Sequence, residues 1–199
     1  MTAAAQTAGR GRQGRSWSAP PGKALLYSAV LRPLDRRHLL LPLAVPLAVC
    51  EVVEELSGRR AEVKWPNDVW VEGRKVAGVL IEARPQDAWA VIGVGLNVAV
   101  EPAEFPPELR ETATSIGGGA TVPAALAALN RRLGGWTGAA ADEVLAAFRE
   151  RDALRGREIS WVEGTGVAEG IDERGNLLVR TSGEETVSLG AGEVHLTAP

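Results

Sequence analysis

The sequence predicts an α+β fold: a mixed, largely antiparallel sheet with helices, followed by a small all-β unit at the C-terminal end. Three observations predict it. Extended runs joined by tight turns fill residues 61–97, the pattern of an antiparallel sheet. Helical stretches flank that region, near residues 35–56 and 121–152. After Arg157 the texture changes to five short strands punctuated by glycine, which reads as a small barrel.

The elements follow in order. In residues 1–22, Gly9, Gly11 and Gly14 alternate with Arg10, Arg12 and Arg15, the texture of a loop. Lys23 to Leu31 is a strand that ends at Arg32-Pro33-Leu34. Asp35 caps a helix that runs to about Leu56, with Gly58 as its stop. Pro42 and Pro46 should confine its regular part to the second half, because an interior proline removes a hydrogen bond and clashes. Ala61 to Trp65 is a strand, and Asn67-Asp68 a turn. Val69 to Val71 extends, Glu72-Gly73 turns and Lys75 to Ala83 returns. Arg84 to Asp87 turns again into a strand from Trp89 to Asn97.

Residues 101–120 are a proline-then-glycine connector. Thr121 caps a helix that begins with Pro123 and ends near Gly134; Asp142 caps another, to about Asp152. Strands at 159–162, 167–171, 177–181, 186–189 and 194–196 complete the chain. This division gives two domains, 1–152 and 153–199.

Composition narrows the classes. With 45% apolar and 24% charged residues in 199, the chain is not disordered. A single cysteine, Cys50, excludes a disulfide framework and a cysteine-rich zinc site. His38 and His195 stand far apart, each without a metal-binding neighbour, which argues against a zinc hydrolase. No export signal is visible, and the longest apolar stretch, Leu39 to Cys50, is too short to span a bilayer. The expectation is a soluble, cytoplasmic protein without a membrane partner. Net charge is −3, but residues 1–37 carry seven basic side chains and one acid, so the remainder is net −9. A positive head on an acidic body suggests a localised anion site.

Four motifs can carry chemistry. In Gly9-Arg10-Gly11-Arg12-Gln13-Gly14-Arg15 the glycines let amides approach a phosphate, and the arginines grip phosphate or carboxylate in two-point fashion. A floppy basic loop or an RNA-touching tract reads the same way. In Lys64-Trp65-Pro66-Asn67-Asp68, Asp68 can hold Mg²⁺ with Asn67 beside it while Lys64 reaches a phosphate. Asn-Asp alone also merely shapes a turn. In Arg74-Lys75-Val76-Ala77-Gly78, Lys75 and Ala77 share a strand face and Gly78 leaves room for an approach to the sheet. Gly93-Val94-Gly95-Leu96-Asn97 lacks the third glycine of a dinucleotide fingerprint, but it lets a flat ligand lie close to the strand.

Together the four are far more specific than any one. With Gln6-Thr7-Ala8 ahead of the loop and Ser16-Trp17 behind it, they match the biotin protein ligase family in order and spacing. The chain resembles that family over nearly its whole length. The resemblance implies a class II synthetase-like catalytic domain followed by an SH3-like β-barrel. It implies adenylation of biotin by ATP with Mg²⁺, then transfer of biotin to a lysine of the biotin carboxyl carrier domain of acetyl-CoA or a related carboxylase.

Residue by residue, the resemblance assigns Gln6, Arg10, Gly11, Arg12, Lys75 and Gly78 to biotin and its adenylate. It assigns Lys64, Asn67, Asp68 and Asn97 to the nucleotide, with Asp68 also at the metal. Lys75 and Arg12 are the catalytic pair. Trp17 either walls the ligand or packs in the core. Family members also carry a strand and helix with a Ser-Thr-Asn motif ahead of the loop, whereas here five residues precede Gln6. The expected consequences are an exposed sheet edge, an incomplete pocket and, as an alternative function, an impaired remnant that binds ligand or partner only. The DNA-binding head of some members is missing too, so no repressor function is expected, and a homodimer is left open. A lipoate ligase fits the Gly-Arg loop and the Lys-Trp-Pro-Asn-Asp run less well. An RNA-binding module fits poorly with a pI of 5.6 and the acidic body.

Overall fold

The protein is described by a computed structural model, and the description covers residues 1–197. Two antiparallel sheets and three helices form it. The first sheet has the order β1-β2-β6-β5-β4-β3. Its strands are β1 (Thr2–Ala3), β2 (Ala24–Leu31), β3 (Glu62–Lys64), β4 (Asp68–Val71), β5 (Arg74–Arg84) and β6 (Trp89–Asn97). The second holds β7 (Glu158–Trp161), β8 (Gly164–Ile171), β9 (Leu177–Thr181), β10 (Thr186–Leu189) and β11 (His195–Leu196), in the order β10-β9-β8-β7-β11. It is a small β unit whose ladder stays open, since β10 and β11 pair only with β9 and β7 among the described residues. This unit occupies the place of the expected small barrel, and no closed barrel forms among the described residues.

Alternation explains the first sheet. In β6, Ala90, Ile92, Val94 and Leu96 are buried, while Val91, Gly93 and Gly95 face the other way. The apolar face lies under α1 (Leu41–Ser57) and α2 (Val122–Gly138), with α3 (Ala141–Arg151) packed beside α1. The opposite face carries the glycines.

Helix α1 departs from expectation at its start. Asp35 caps only one 3-10 turn, Arg36–His38, and α1 begins at Leu41 and continues regularly through Pro46. Pro42 sits in the first turn, where an N–H has no partner anyway. Pro46 forfeits one bond, but eleven buried residues on this helix outweigh that loss. Gly58 closes α1 in the left-handed conformation, as expected. Helix α2 runs past Gly134 to Gly138, because Trp136 beyond the glycines packs against the core. The N-cap of α3 is Ala140; Asp142 sits in its first turn, where a carboxylate faces the positive helix end.

The sheet edge expected to be exposed carries only β1, whose Thr2 and Ala3 pair with Tyr27 and Leu26 of β2 and are themselves exposed. Among the described residues, no helix is long and apolar enough to cross a membrane.

Candidate active site

The glycine–arginine loop forms an ordered flap. Arg10 bridges Ser16, Trp17 N–H donates to the Gly9 carbonyl at 3.0 Å, and a 3-10 turn at Arg12–Gly14 closes the tip. The flap lays Trp17 across the glycine face of the sheet. Gly95 and Gly78 are register partners, and a Cβ at Gly95 would lie 2.5 Å from the Trp17 indole. At Gly78 the same test gives 3.2 Å. The expected flat ligand against these glycines is thus corrected: the flat group they admit is the protein's own Trp17. Its indole nitrogen is buried without a hydrogen-bond partner.

Lys75 reaches this face by a route that alternation conceals. Trp70 pairs with Lys75 and Val69 with Ala77, so Val76 is the extra residue of a β-bulge. The bulge inverts the facing: Val76 and Ala77 are both buried in the core, while Lys75 turns toward Gly78, within 3.4 Å of where a Cβ would stand. The expected shared face of Lys75 and Ala77 is thus corrected. Lys75 Nζ lies 2.7 Å from Asp68 Oδ1 and 5.8 Å from the Trp17 ring centroid.

Asn67 joins the flap to the sheet. Its side chain donates to the Val79 carbonyl at 2.8 Å and accepts from Arg12 Nη1 at 3.1 Å. Lys64 lies 5.3 Å from the Trp70 ring centroid. Asn97 is buried and donates to the Thr114 carbonyl at 3.0 Å.

A cleft of about 450 Å³ gathers Gln6, Arg10, Gly11, Arg12, Lys64, Asn67, Asp68, Lys75, Gly78 and Asn97, the residues that the resemblance assigns to substrate, nucleotide and metal. A second cleft of about 780 Å³ lies across the flap, against Leu39, Leu43 and Gly175; it contains neither Lys75 nor Asp68. The smaller cleft is the one with the chemistry.

Its electrostatics are uneven. Arg10 is held by Glu82 in a two-point pair at 2.9 and 3.1 Å, and with 72% of its side chain exposed it points out of the flap. Arg15 pairs with Glu193, and Lys75 with Asp68. Arg12 and Lys64 face no carboxylate within ion-pair distance among the described residues. Burial pushes the pKa of both cations down, against the pull of Asp68. Two half-buried, uncompensated cations beside a third form a site that an anion would stabilise.

Sequence reasoning missed several walls of this cleft. Phe105, Leu109, Thr112 and Ala113 come from the connector, which docks through a Lys75 N–H to Thr112 carbonyl bond of 2.7 Å. Glu193 comes from the loop between β10 and β11 of the second sheet. None of them carries a local signal; only Trp70, flanked by valines in a strand, was open to notice.

Comparison with known proteins agrees with this geometry. Residues 1–98 match the biotin/lipoate A/B protein ligase family, and residues 155–196 match the biotin protein ligase C-terminal domain. The biotin–[acetyl-CoA-carboxylase] ligase of Mycobacterium tuberculosis is 35% identical over 212 residues, covering 96% of this chain and 76% of that one. The solved biotin protein ligase of Aquifex aeolicus in complex with biotin and ATP superposes with a TM-score of 0.82 at 30% identity, over 98% of this chain and 88% of that one. The bifunctional ligase/repressor of Bacillus subtilis is 39% identical over 117 residues, 56% of this chain but only 36% of that relative. The chain belongs to the biotin protein ligase family.

Proposed function

We propose that the chain activates biotin with ATP and transfers it to a carrier lysine, with the cleft under the flap as the active site. The observation that carries this is the pair of uncompensated cations, Arg12 and Lys64, beside Lys75. Biotin's carboxylate and ATP are both anions, so bringing them together needs such a site. The carboxylate oxygen attacks the α-phosphorus, the bond to the β-phosphate oxygen breaks, and pyrophosphate leaves. Negative charge builds on the α-phosphate oxygens. Lys75 is the donor assigned to it, with Arg12 closing from the flap. No general base is needed, because the nucleophile is already ionised. Then the carrier's lysine, once deprotonated, attacks the acyl carbon of the mixed anhydride, the bond from that carbon to the AMP oxygen breaks, AMP departs and the new amide nitrogen releases a proton to water.

Gln6, Gly11, Arg12, Lys75 and Gly78 are assigned to biotin and its adenylate, and Arg10, turned outward to Glu82, to holding the flap over them. Lys64, Asn67, Asp68 and Asn97 are assigned to the nucleotide end. Among the described residues no three His, Cys, Asp or Glu side chains form a metal cluster. Mg²⁺ needs few protein ligands when phosphates and waters supply the rest, so Asp68 suffices as the protein's carboxylate for MgATP. The partner is the biotin carrier domain of acetyl-CoA carboxylase or a related carboxylase, with the cytoplasm as the compartment. The division into 1–152 for catalysis and 153–199 as a separate unit belongs to the same proposal. Nothing in the comparisons favours the impaired-remnant alternative.

The test is incubation of the full chain with biotin, ATP and Mg²⁺, followed by mass spectrometry, with lipoate in a parallel arm. Biotinyl-AMP is the expected product. No adenylate, or lipoyl-AMP in preference, contradicts the reading.

A further inference from the structure

Loops of the C-terminal unit touch the site's framework at two points, one behind the cleft through Trp65 and one in its wall at Glu193, and the mechanism above uses neither. The first is the turn Asp172–Asn176. Asp172 Oδ1 accepts from the backbone N–H groups of Arg174 at 2.8 Å and Asn176 at 2.9 Å. This holds Gly175 at φ +80°, and its carbonyl accepts from Trp65 Nε1 at 3.0 Å. A Cβ at Gly175 would meet Leu43 at 3.0 Å and Leu40 at 3.2 Å, so only glycine brings this carbonyl so near. Trp65 directly follows Lys64 and lies two residues before Asn67.

The second point is Glu193, which ion-pairs with Arg15 across 178 residues of sequence. Arg15 closes the flap tip: its carbonyl accepts from Gly11 N–H at 2.6 Å, and its own N–H donates to the Arg12 carbonyl at 3.1 Å. A hold on Arg15 is therefore a hold on Arg12. Without it, a glycine-rich loop with long arginines has much conformational freedom to lose on closing.

We propose that the C-terminal unit is a two-point clamp on the cationic site, with Gly175 holding the Lys64–Asp68 segment through Trp65 and Glu193 holding the flap through Arg15. Glu193 and Trp65 are positioning residues. The inference rests on reading the cleft as the adenylation site and adds what keeps it assembled. An ion pair this exposed contributes little to global stability, so its loss is felt in the flap rather than in the fold.

The experiment uses the full chain and the variants E193K, R15E, R15E/E193K and W65F. Trypsin cleavage after Arg12 reports flap opening without any need for activity. The KM for ATP and kcat of adenylate formation are measured beside it. Each single reversal should speed cleavage about two- to fivefold, the range an exposed pair supplies. Each should raise KM more than it lowers kcat. The double reversal should return both readouts to within about twofold of the unaltered chain, as expected of a pair whose coupling is restored. W65F should raise KM for ATP while leaving flap cleavage unchanged. A double reversal as impaired as the singles, or singles with unaltered cleavage, overturns the Glu193 contact. An unchanged KM in W65F overturns the Gly175 contact. If the unaltered chain forms no biotinyl-AMP, the adenylation reading fails, while the trypsin comparison still decides the flap contact.

Discussion

Lys75 is half exposed, paired with Asp68 and aimed at the same space as Trp17. In the proposed reaction it meets charge that exists only as the α-phosphate is attacked. K75M should therefore slow adenylate formation by about 10²–10³-fold, with little change in thermal stability, as measured by single-turnover formation of biotinyl-AMP. Gly95 is the complementary case. A methyl there has no room beneath the indole. G95A should displace Trp17, costing about 1–3 kcal/mol of stability and weakening biotin binding, as calorimetry and thermal melts would record. Asp152 carries a third prediction. One oxygen accepts from the Leu154 N–H at 2.9 Å, while the other is buried without a partner, and burial raises the carboxyl pKa. A raised folded-state pKa means that stability falls as pH rises through it. D152N removes that titration, so its Tm relative to the unaltered chain should climb as pH goes from about 4 to about 7. A gap that narrows over this window would contradict the sign.

Among the elements, legibility in the sequence tracked how local the deciding physics was. β6, β9 and β10 have the bounds that alternation and flanking turns indicate. Gly58 stops α1 because a left-handed cap is a local requirement. The bulge at Val76 was invisible, since a bulge is a property of two strands and their register, and it reversed the expected facing of Lys75. Helix α2 outran its expected end because Trp136 finds a tertiary contact that propensity does not record. Of the site, the cations and Asn67-Asp68 were legible because their chemistry is concentrated in short motifs. The connector wall and Glu193 were not, because they arrive through pairings of distant segments.

At the scale of the whole molecule, the basic head folds back over the acidic body. Arg10 and Arg15 spend their charge on Glu82 and Glu193, which tethers the flap. Arg12 and Lys64 keep theirs for a ligand. In the proposed reaction Arg10 and Arg15 position the flap, while Arg12, Lys64 and the Asp68-paired Lys75 face the ligand. The most direct measurement is biotin-dependent exchange of labelled pyrophosphate into ATP, made on the intact chain and on R12A, K64M and R10A. Exchange should occur only when biotin and ATP are both present. It should fall more than about tenfold in R12A and K64M, the scale of a lost charged contact, but far less in R10A. Exchange without biotin, or full exchange in R12A and K64M, would contradict these roles.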